Sequence, residues 1–421
     1  MKALCISAIA SNQGKTIVTM ALLKHFEDSV RPFKIGPDFI DPQFHTLISK
    51  TPSVNLDTFM MSQDQVKWMF QHYSDKNISI CEGVMGFYDG MDKGSSAYDI
   101  SKLLNIPTLL ILDGGSSYIT VSAVLQGLLT YKEDNTIRAV LLNNISSQGH
   151  FELIKKQLNH DFAHIKVVGW IEKNLPSLKE IHLGLDLRDT AKITQISQEV
   201  LKHIDLSLLL GIAQQHTAQK LHSYPFKKIS KIEKKLAVIH DENFSFLYHD
   251  NVEFFKEMFK EVVFVSPAKN EQIPEDTDTV FIPGGYVETP QAYKQLRQAT
   301  EFKSSLIRHA QNKSIYAECA GLLYLGKSVD EKEMSAVLDM DFTMHKRFQR
   351  IGYYHTDKSD AKGHAFHYSD VKYCNENAVD ILFKNSLNDG RVGSWQKKKV
   401  FGTYLHSMFR SNTHLLQTKF V

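Results

Sequence analysis

Three groups of residues in this sequence have types and spacing suited to chemistry: a cysteine at 319, a histidine at 406 and a Gly-Lys-Thr triplet at 14–16. Cys319 sits in Ile315-Tyr316-Ala317-Glu318-Cys319-Ala320-Gly321-Leu322-Leu323, between a strand-like run and a helix-like run with small residues on both sides. A tight strand-to-helix turn needs small residues. It also presents its central side chain at a helix N-terminus, where the dipole favours thiolate over a thiol whose free pKa is about 8.5. Thr279–Ile282 upstream runs into Pro283-Gly284-Gly285-Tyr286, where exposed backbone N–H groups could form an oxyanion hole. Downstream, Val400–Leu405 leads to His406, a candidate general base. A cysteine in a core is usually an inert small hydrophobe, and with nineteen histidines His406 alone would pass as structural. The glycine pair, thiol and histidine together point to nucleophilic catalysis.

The triplet offers different chemistry. Ala3–Ala10 is strand-like, and Ser11-Asn12-Gln13-Gly14-Lys15-Thr16 then opens a helical pattern. In that order, backbone N–H groups and a helix N-terminus hold phosphates, Lys15 reaches the β- and γ-phosphates of ATP, and Thr16 ligates Mg²⁺. The loop is degenerate, because Ile9 stands where a P-loop has its first glycine. A hard cation takes oxygen ligands, and two Gly/Pro-rich segments supply carboxylates: Asp38 and Asp41 in Lys34–Pro42, and Glu82 and Asp89 in Glu82–Gly90. Each acid alone reads as a turn or surface charge. Four of them, in loops that follow strand-like runs, read as a site.

The elements that must position these groups alternate. Strand-like runs at Ala3–Ala10, Pro32–Ile35, Ile78–Cys81, Thr108–Leu112, Arg138–Asn143 and Lys166–Trp170 are separated by amphipathic runs such as Thr16–Phe26, Ala97–Leu104, Ile119–Leu129 and Phe151–Leu158. This predicts stacked βαβ units and a parallel sheet, with Asp99 an ordinary polar helix position. From about Pro176 the chain turns rich in Lys, Gln and His, up to a basic run at Lys227–Lys235. A second alternation follows: strands at Leu236–His240, Val262–Val265, Thr279–Ile282 and Ser314–Ala317, with a helix near Asn251–Phe259. The expected division is residues 1–190 as the domain carrying the phosphate loop, 191–235 as a linker or bridging segment, and 236–421 as the domain carrying the thiol.

Bulk properties fit two enzyme domains. A chain of 421 residues exceeds what one core serves, and a net charge of +2 gives no field for nucleic acid or an anionic membrane. No run approaches the ~18 apolar residues of a membrane helix. Cys5, Cys81, Cys319 and Cys374 show neither disulfide density nor metal spacing, which points to a reducing cytoplasm.

Read together, these segments resemble the cobyrinate a,c-diamide synthases of cobalamin biosynthesis. Lys34–Pro42 is similar to K-x-G-P-D-[FY]-I-D-P and Glu82–Gly90 to E-G-V-M-G-x-Y-D-G. Asp241, Phe244, Phe246, Tyr248 and Asn251 follow D-x-x-F-x-F-x-Y-x-x-N, Pro283–Glu288 resembles P-G-G-Y-P-E, and Gly363–Ser369 resembles G-H-E-F-H-Y-S. The resemblance implies a dethiobiotin synthetase-like P-loop domain followed by a class I, triad-type glutamine amidotransferase domain. It implies ATP-dependent phosphorylation of the a- and c-acetate carboxylates of cobyrinate, and ammonia released from L-glutamine. Cys319 would be the nucleophile and His406 its base, with Gly285 and Ala320 forming the oxyanion hole. Ser11 to Thr16 would bind ATP, Thr16, Asp38 and Glu82 would hold Mg²⁺, and Asp41 and Asp89 would orient the substrate carboxylate.

Departures from the pattern are Ala8 and Asn12 at glycine positions, Val287 for a proline and Ala365 for an acid. Many triad glutaminases carry an acid two residues beyond the histidine, but here that residue is Met408. The group orienting His406 is therefore open, and Glu318 stands too close to the nucleophile in sequence to be assumed. Alternatives are the same diamidation of hydrogenobyrinate or nickel-sirohydrochlorin, or a non-catalytic nucleotide switch with a relic glutaminase. Assembly is open, a homodimer being one option.

Overall fold

The computed structural model describes residues 2–175, 180–181, 184–185, 190–214 and 223–420. The chain divides into two compact units, Met1–Pro225 and Phe226–Val421.

The first unit alternates as expected: β1 (Lys2–Ala8), α1 (Lys15–Phe26), β2 (Val30–Ile35), α2 (Ile40–Ser49), β3 (Val54–Leu56), α3 (Gln63–Tyr73), β4 (Ile78–Glu82), α4 (Ala97–Leu104), β5 (Thr108–Asp113), α5 (Ile119–Tyr131), β6 (Ile137–Ile145), α6 (Gln148–Asp161) and β7 (Lys166–Glu172). The strands form one parallel sheet in the order β3-β2-β4-β1-β5-β6-β7. Helices cover both faces of such a sheet, so its strands are buried throughout and lack alternation; β2 and β4 are buried along their whole length. Asp99 does more than occupy a polar position. It completes a capping box with Ser96 at the start of α4, as Gln65 does with Ser62 at α3.

A short antiparallel pair, β8 (Glu180–Ile181) and β9 (Gly184–Leu185), precedes α7 (Thr190–Leu201) and α8 (Leu206–Ala213). These helices occupy much of the segment expected to be a linker. Ile193, Ile196, Val200, Leu209 and Ile212 are instead buried in the same cluster as Leu4, Leu109 and Leu141 of the sheet. The unit boundary therefore falls at Pro225/Phe226 rather than at 190 and 235. The polar residues of α7 hid its buried face, and α8 is a short apolar run, Leu206–Ala213, within a segment that is otherwise rich in Lys, Gln and His.

The second unit is built on β10 (Ile232–Ile239), α9 (His249–Met258), β11 (Phe259–Val265), β12 (Thr279–Ile282), α10 (Pro290–Gln298), α11 (Thr300–Ala310), β13 (Ser314–Glu318) and α12 (Ala320–Leu325). Short strands follow: β14 (Ser328–Val329), β15 (Lys332–Glu333), β16 (Met340–Met344), β17 (Arg350–Thr356), β18 (Lys362–His367), β19 (Ser369–Cys374), β20 (Asn377–Ala378), β21 (Ile381–Phe383), β22 (Arg391–Val392), β23 (Ser394–Lys397) and β24 (Val400–Thr403), then α13 (Thr413–Lys419). The main sheet has the order β11-β10-β12-β13-β24-β23-β20, parallel from β11 to β24 and antiparallel beyond. Two four-stranded sheets, β15-β14-β16-β19 and β18-β17-β21-β22, flank it. Phe255, Phe281, Tyr316, Phe409 and Phe420 pack in the core with ring centroids 4.8–6.0 Å apart. Arg410, fully buried, ties the C-terminal segment to α9 through Asp250 at 2.9 Å and Glu257 at 2.7 Å.

Candidate active sites

In the first unit the phosphate loop follows β1, and the two acidic segments follow β2 and β4. Those three strands are neighbours in the order β2-β4-β1, so all three loops emerge at one end of the sheet. Gly14 has φ +99° and Asn12 φ +61°. Both positions adopt the left-handed conformation that glycine and asparagine tolerate best. A side chain at Gly14 would press on Asn143, whose Nδ2 donates to the Gln13 carbonyl at 3.0 Å. Ser11 and Asn12 are exposed, whereas the Lys15 ammonium is buried and donates to the Ala10 carbonyl at 2.8 Å. Burial and the neighbouring Lys34 lower the Lys15 pKa.

Glu82, fully buried, is the hub of the acidic cluster. Its Oε1 accepts from the Thr16 hydroxyl at 3.1 Å and lies 3.4 Å from the Lys34 ammonium; its Oε2 lies 2.6 Å from Nε2 of the buried His45. Lys34, 2% exposed, also pairs with Asp41 and lies 3.8 Å from Asp38. Burial opposes charge on Lys34, but Glu82, Asp41 and Asp38 outweigh it and raise its pKa above the ordinary value. Burial likewise opposes charge on Glu82, yet Lys34 and His45 hold its carboxyl down at about 2. Asp41 is pushed up to about 7 by burial and by the Glu82 charge, against the pull of Lys34. Asp38 also caps the turn into α2, accepting from the Ile40 N–H at 2.9 Å. Asp89 is exposed and accepts from the Gly86 N–H at 2.8 Å, bracing its own loop. Thr16 and Glu82 are adjacent oxygen donors of the kind Mg²⁺ takes alongside phosphate oxygens.

The second unit repeats the same logic. The Gly284-Gly285 loop, Cys319 and His406 follow β12, β13 and β24, three adjacent parallel strands. Cys319 has φ +46° and ψ −104°, a strained turn between β13 and α12, and its N–H donates to the Thr403 carbonyl at 2.8 Å. The glycines are required by close approach: a Cβ at Gly284 would strike the His406 ring, and one at Gly285 the Asn243 carbonyl. The loop is pinned by Phe246 N–H to the Gly284 carbonyl at 3.0 Å and by Tyr286 N–H to the Asn243 carbonyl at 2.8 Å. Ala320 is buried at the head of α12.

The thiol differs from the exposed thiolate expected of it. Cys319 is only 6% exposed, and burial together with the Glu288 charge pushes its pKa up to about 12, although the Ala320 N–H works the other way. The resting side chain is a thiol. Burial also pushes the His406 imidazole down to about 3. The group facing this imidazole is Glu318: its Oε2 lies 3.3 Å from His406 Nδ1, and its Oε1 accepts from the Ser407 N–H at 3.2 Å. Burial raises the Glu318 pKa well above the ordinary range. Adjacency to Cys319 in sequence does not prevent this contact. Successive strand residues point to opposite faces, and at the strand end Glu318 turns across to the neighbouring strand's histidine while Cys319 enters the elbow.

Comparison with known proteins agrees with both units. The CobB/CobQ-like glutamine amidotransferase domain matches residues 235–414. The cobyrinate a,c-diamide synthase of Streptococcus sanguinis is 33% identical over 99% of this chain and 98% of its own length. That of Fusobacterium nucleatum is 33% identical over the full length of both, and that of Methanocaldococcus jannaschii 30% identical over 98% and 97%. The chain belongs to the cobyrinate a,c-diamide synthase family. It is thus a glutamine-dependent amidotransferase, a carbon–nitrogen ligase. Family membership accounts for the amidotransferase unit, but three positions emerge only from the structure. Lys34 was visible solely as a motif letter, His45 had no motif at all, and Glu318 was set aside. Among the described residues no helix is long and apolar enough to cross a membrane.

Proposed function

We propose that this chain uses ATP and L-glutamine to amidate the a- and c-acetate carboxylates of cobyrinate. The observation carrying the proposal is the pairing, on one chain of this family, of a Thr16–Glu82–Lys34 cluster beside a phosphate loop with a Cys319–His406–Glu318 site beside a glycine pair.

A carboxylate is a poor electrophile and must first gain a leaving group. Ser11 to Thr16 would cradle the triphosphate of ATP, with Lys15 leaving the Ala10 carbonyl to meet the phosphates. Thr16, Glu82 and Asp38 would hold Mg²⁺, which when bound neutralises phosphate charge. Lys34, already held cationic, would offset the charge of the incoming carboxylate, and Asp41 and Asp89 would orient it. The substrate oxygen bonds to the γ-phosphorus as ADP leaves, giving an acyl phosphate. Ammonia then attacks the acyl carbon and phosphate departs. Positioning and charge neutralisation suffice for such a transfer.

In the second unit, His406 would take the Cys319 proton as sulfur attacks the glutamine carboxamide. The developing oxyanion would meet the N–H groups of Gly285 and Ala320. His406 would return the proton to the departing ammonia, and water would hydrolyse the thioester to glutamate. Glu318 would hold the imidazole by Nδ1, leaving Nε2 for the thiol.

Cys319→Ala is expected to abolish glutamine-dependent amidation and leave ammonia-dependent amidation intact, while Lys15→Ala removes both. Equal loss of both activities in Cys319→Ala would reject the assignment. Product mass after incubation with cobyrinate, hydrogenobyrinate or nickel-sirohydrochlorin identifies the macrocycle; cobyrinate failing to gain two amides would overturn the first choice.

A further inference from the structure

One surface of the second unit is used by neither reaction centre. The strands β17 and β18 pair antiparallel, with Ile351 opposite Phe366 and Tyr353 opposite His364. One face of this ribbon points inward, where Arg350, Tyr354, Ala365 and His367 are buried. The other face leaves Ile351 48% and Phe366 39% exposed. The preceding turn folds back over it: His345 N–H donates to the Tyr368 carbonyl and Gln349 N–H to the His367 carbonyl, both at 2.9 Å. This sets the Phe348 ring 4.3 Å from Phe366 and 4.1 Å from Tyr368, yet Phe348 remains 37% exposed. Aromatic rings that pack on one another and still face solvent present a preformed apolar platform.

The rim of the platform is basic. Lys346 and Arg347 are exposed in the same turn, and Arg391 donates to the Gln349 carbonyl at 2.6 Å. The acid beside them is Asp370, 3.6 Å from Arg391. The platform also adjoins the thiol site: the His364 and His406 backbones exchange hydrogen bonds of 3.0 and 2.8 Å, and Phe366 lies two residues along the same strand, roughly 7 Å away.

An exposed apolar cluster, its rings tilted 54° and 31° to one another, with a cationic rim complements an apolar macrocycle that carries carboxylates around its edge. We propose that Phe348, Ile351 and Phe366, ringed by Lys346, Arg347 and Arg391, form a docking surface for the polycarboxylated tetrapyrrole. The inference rests on the amidation reading above and adds to it where the macrocycle lies in the glutaminase unit. Ring contacts supply affinity for the macrocycle face and the cations select its carboxylates, so binding weakens with ionic strength.

The test uses the full chain, with cobyrinate as probe, followed by its absorbance in equilibrium dialysis and by steady-state amidation. The Phe348→Ser/Phe366→Ser double variant is expected to weaken cobyrinate binding about tenfold or more. Lys346→Glu/Arg347→Glu, which alters only exposed side chains, is expected to weaken it several-fold and to flatten its salt dependence. In both, KM for glutamine and ATP and the rate of glutamine hydrolysis stay at wild-type values, which also reports the fold. Wild-type cobyrinate affinity in both variants would overturn the proposal. So would unchanged affinity accompanied by loss of a dimer in sedimentation, which would make the platform an interface between copies. If the wild-type chain amidates cobyrinate, the function stands whatever the variants do; if it amidates no tetrapyrrole, the reading of function fails first.

Discussion

At the scale of single residues, each candidate centre holds a buried ionisable group that no simple pattern announces. Glu318 and His406 share a buried contact, and in the proposed cycle the imidazole would accept the Cys319 proton with its Nδ1 side held by that contact. Glu318→Gln preserves shape but removes the acid facing His406, which in the proposed cycle would have to give up its proton to stabilise an imidazolium. Glutamine-dependent turnover should fall on the order of 10²- to 10⁴-fold, as when the acid of a triad is neutralised, with ammonia-dependent synthesis unchanged. Steady-state rates with each nitrogen source check this. Lys34 is the corresponding residue in the first unit. Lys34→Ala leaves Glu82, Asp41 and Asp38 facing one another without their shared cation. Breaking such a buried cluster costs about 3–5 kcal/mol, so synthesis with either nitrogen source should collapse and the melting transition of the first unit should drop, while glutamine hydrolysis persists. Cys319, His406 and Lys15 could be singled out as candidates because their neighbours carry backbone information, namely glycines and small residues at turns. Glu318 and His45 were not, because their roles come from contacts 88 and 37 residues away in sequence.

At the scale of elements, strands and helices of both units could be placed from apolar runs because a parallel sheet buries its strands on both faces. Boundaries shifted where chemistry at the ends decides them, as at β10, which begins at Ile232 within the basic run. The hidden pair was α7, whose Lys, Gln and Glu masked one buried face, and α8, a short apolar run inside a segment that is otherwise polar. The strand-to-helix elbow at Cys319 carries the most specific element-level consequence. Its backbone, at φ +46°, is unfavourable for any side chain. Such strain costs of order 1–3 kcal/mol and persists at functional sites. Cys319→Gly should therefore be more stable than Cys319→Ala by about 1 kcal/mol, since glycine relieves the strain and alanine retains it. Denaturant midpoints of the two inactive variants measure the difference. A reversed order would mean that the elbow is unstrained and that burial alone holds the thiol.

At the scale of the whole molecule, each unit owns a separate hydrophobic core, one around Leu4, Leu109 and Leu141, the other around Phe255, Phe281 and Phe409. Separate cores predict two calorimetric transitions, and acid should move them unequally. In the second unit burial pushes His309 down to about 4, and His367 and His406 to about 3, each from an ordinary value of 6.5. Between those values the unfolded chain binds protons that the folded unit refuses. The stability these histidines contribute is therefore full above pH 6.5 and is lost as pH falls towards 3. Each contributes about 1.4 kcal/mol per pH unit inside that window. Glu318 opposes them, because its raised pKa lets the folded unit keep a proton that the unfolded chain releases above about 4.5. Three histidines against one carboxyl leave a net loss of roughly 2–3 kcal/mol per pH unit near pH 5. In the first unit Asp41, raised to about 7, gains stability on acidification, and Glu82, held near 2, loses its contribution only below about 4.5. Lowering the pH from 7 to 5 should thus bring down the transition of the second unit and spare that of the first. His367→Gln, which cannot take up the proton, should reduce that net pH slope by about one half. Equal shifts of both transitions, or an unchanged slope in the variant, would show that buried neutral histidines do not set the acid limit of the second unit.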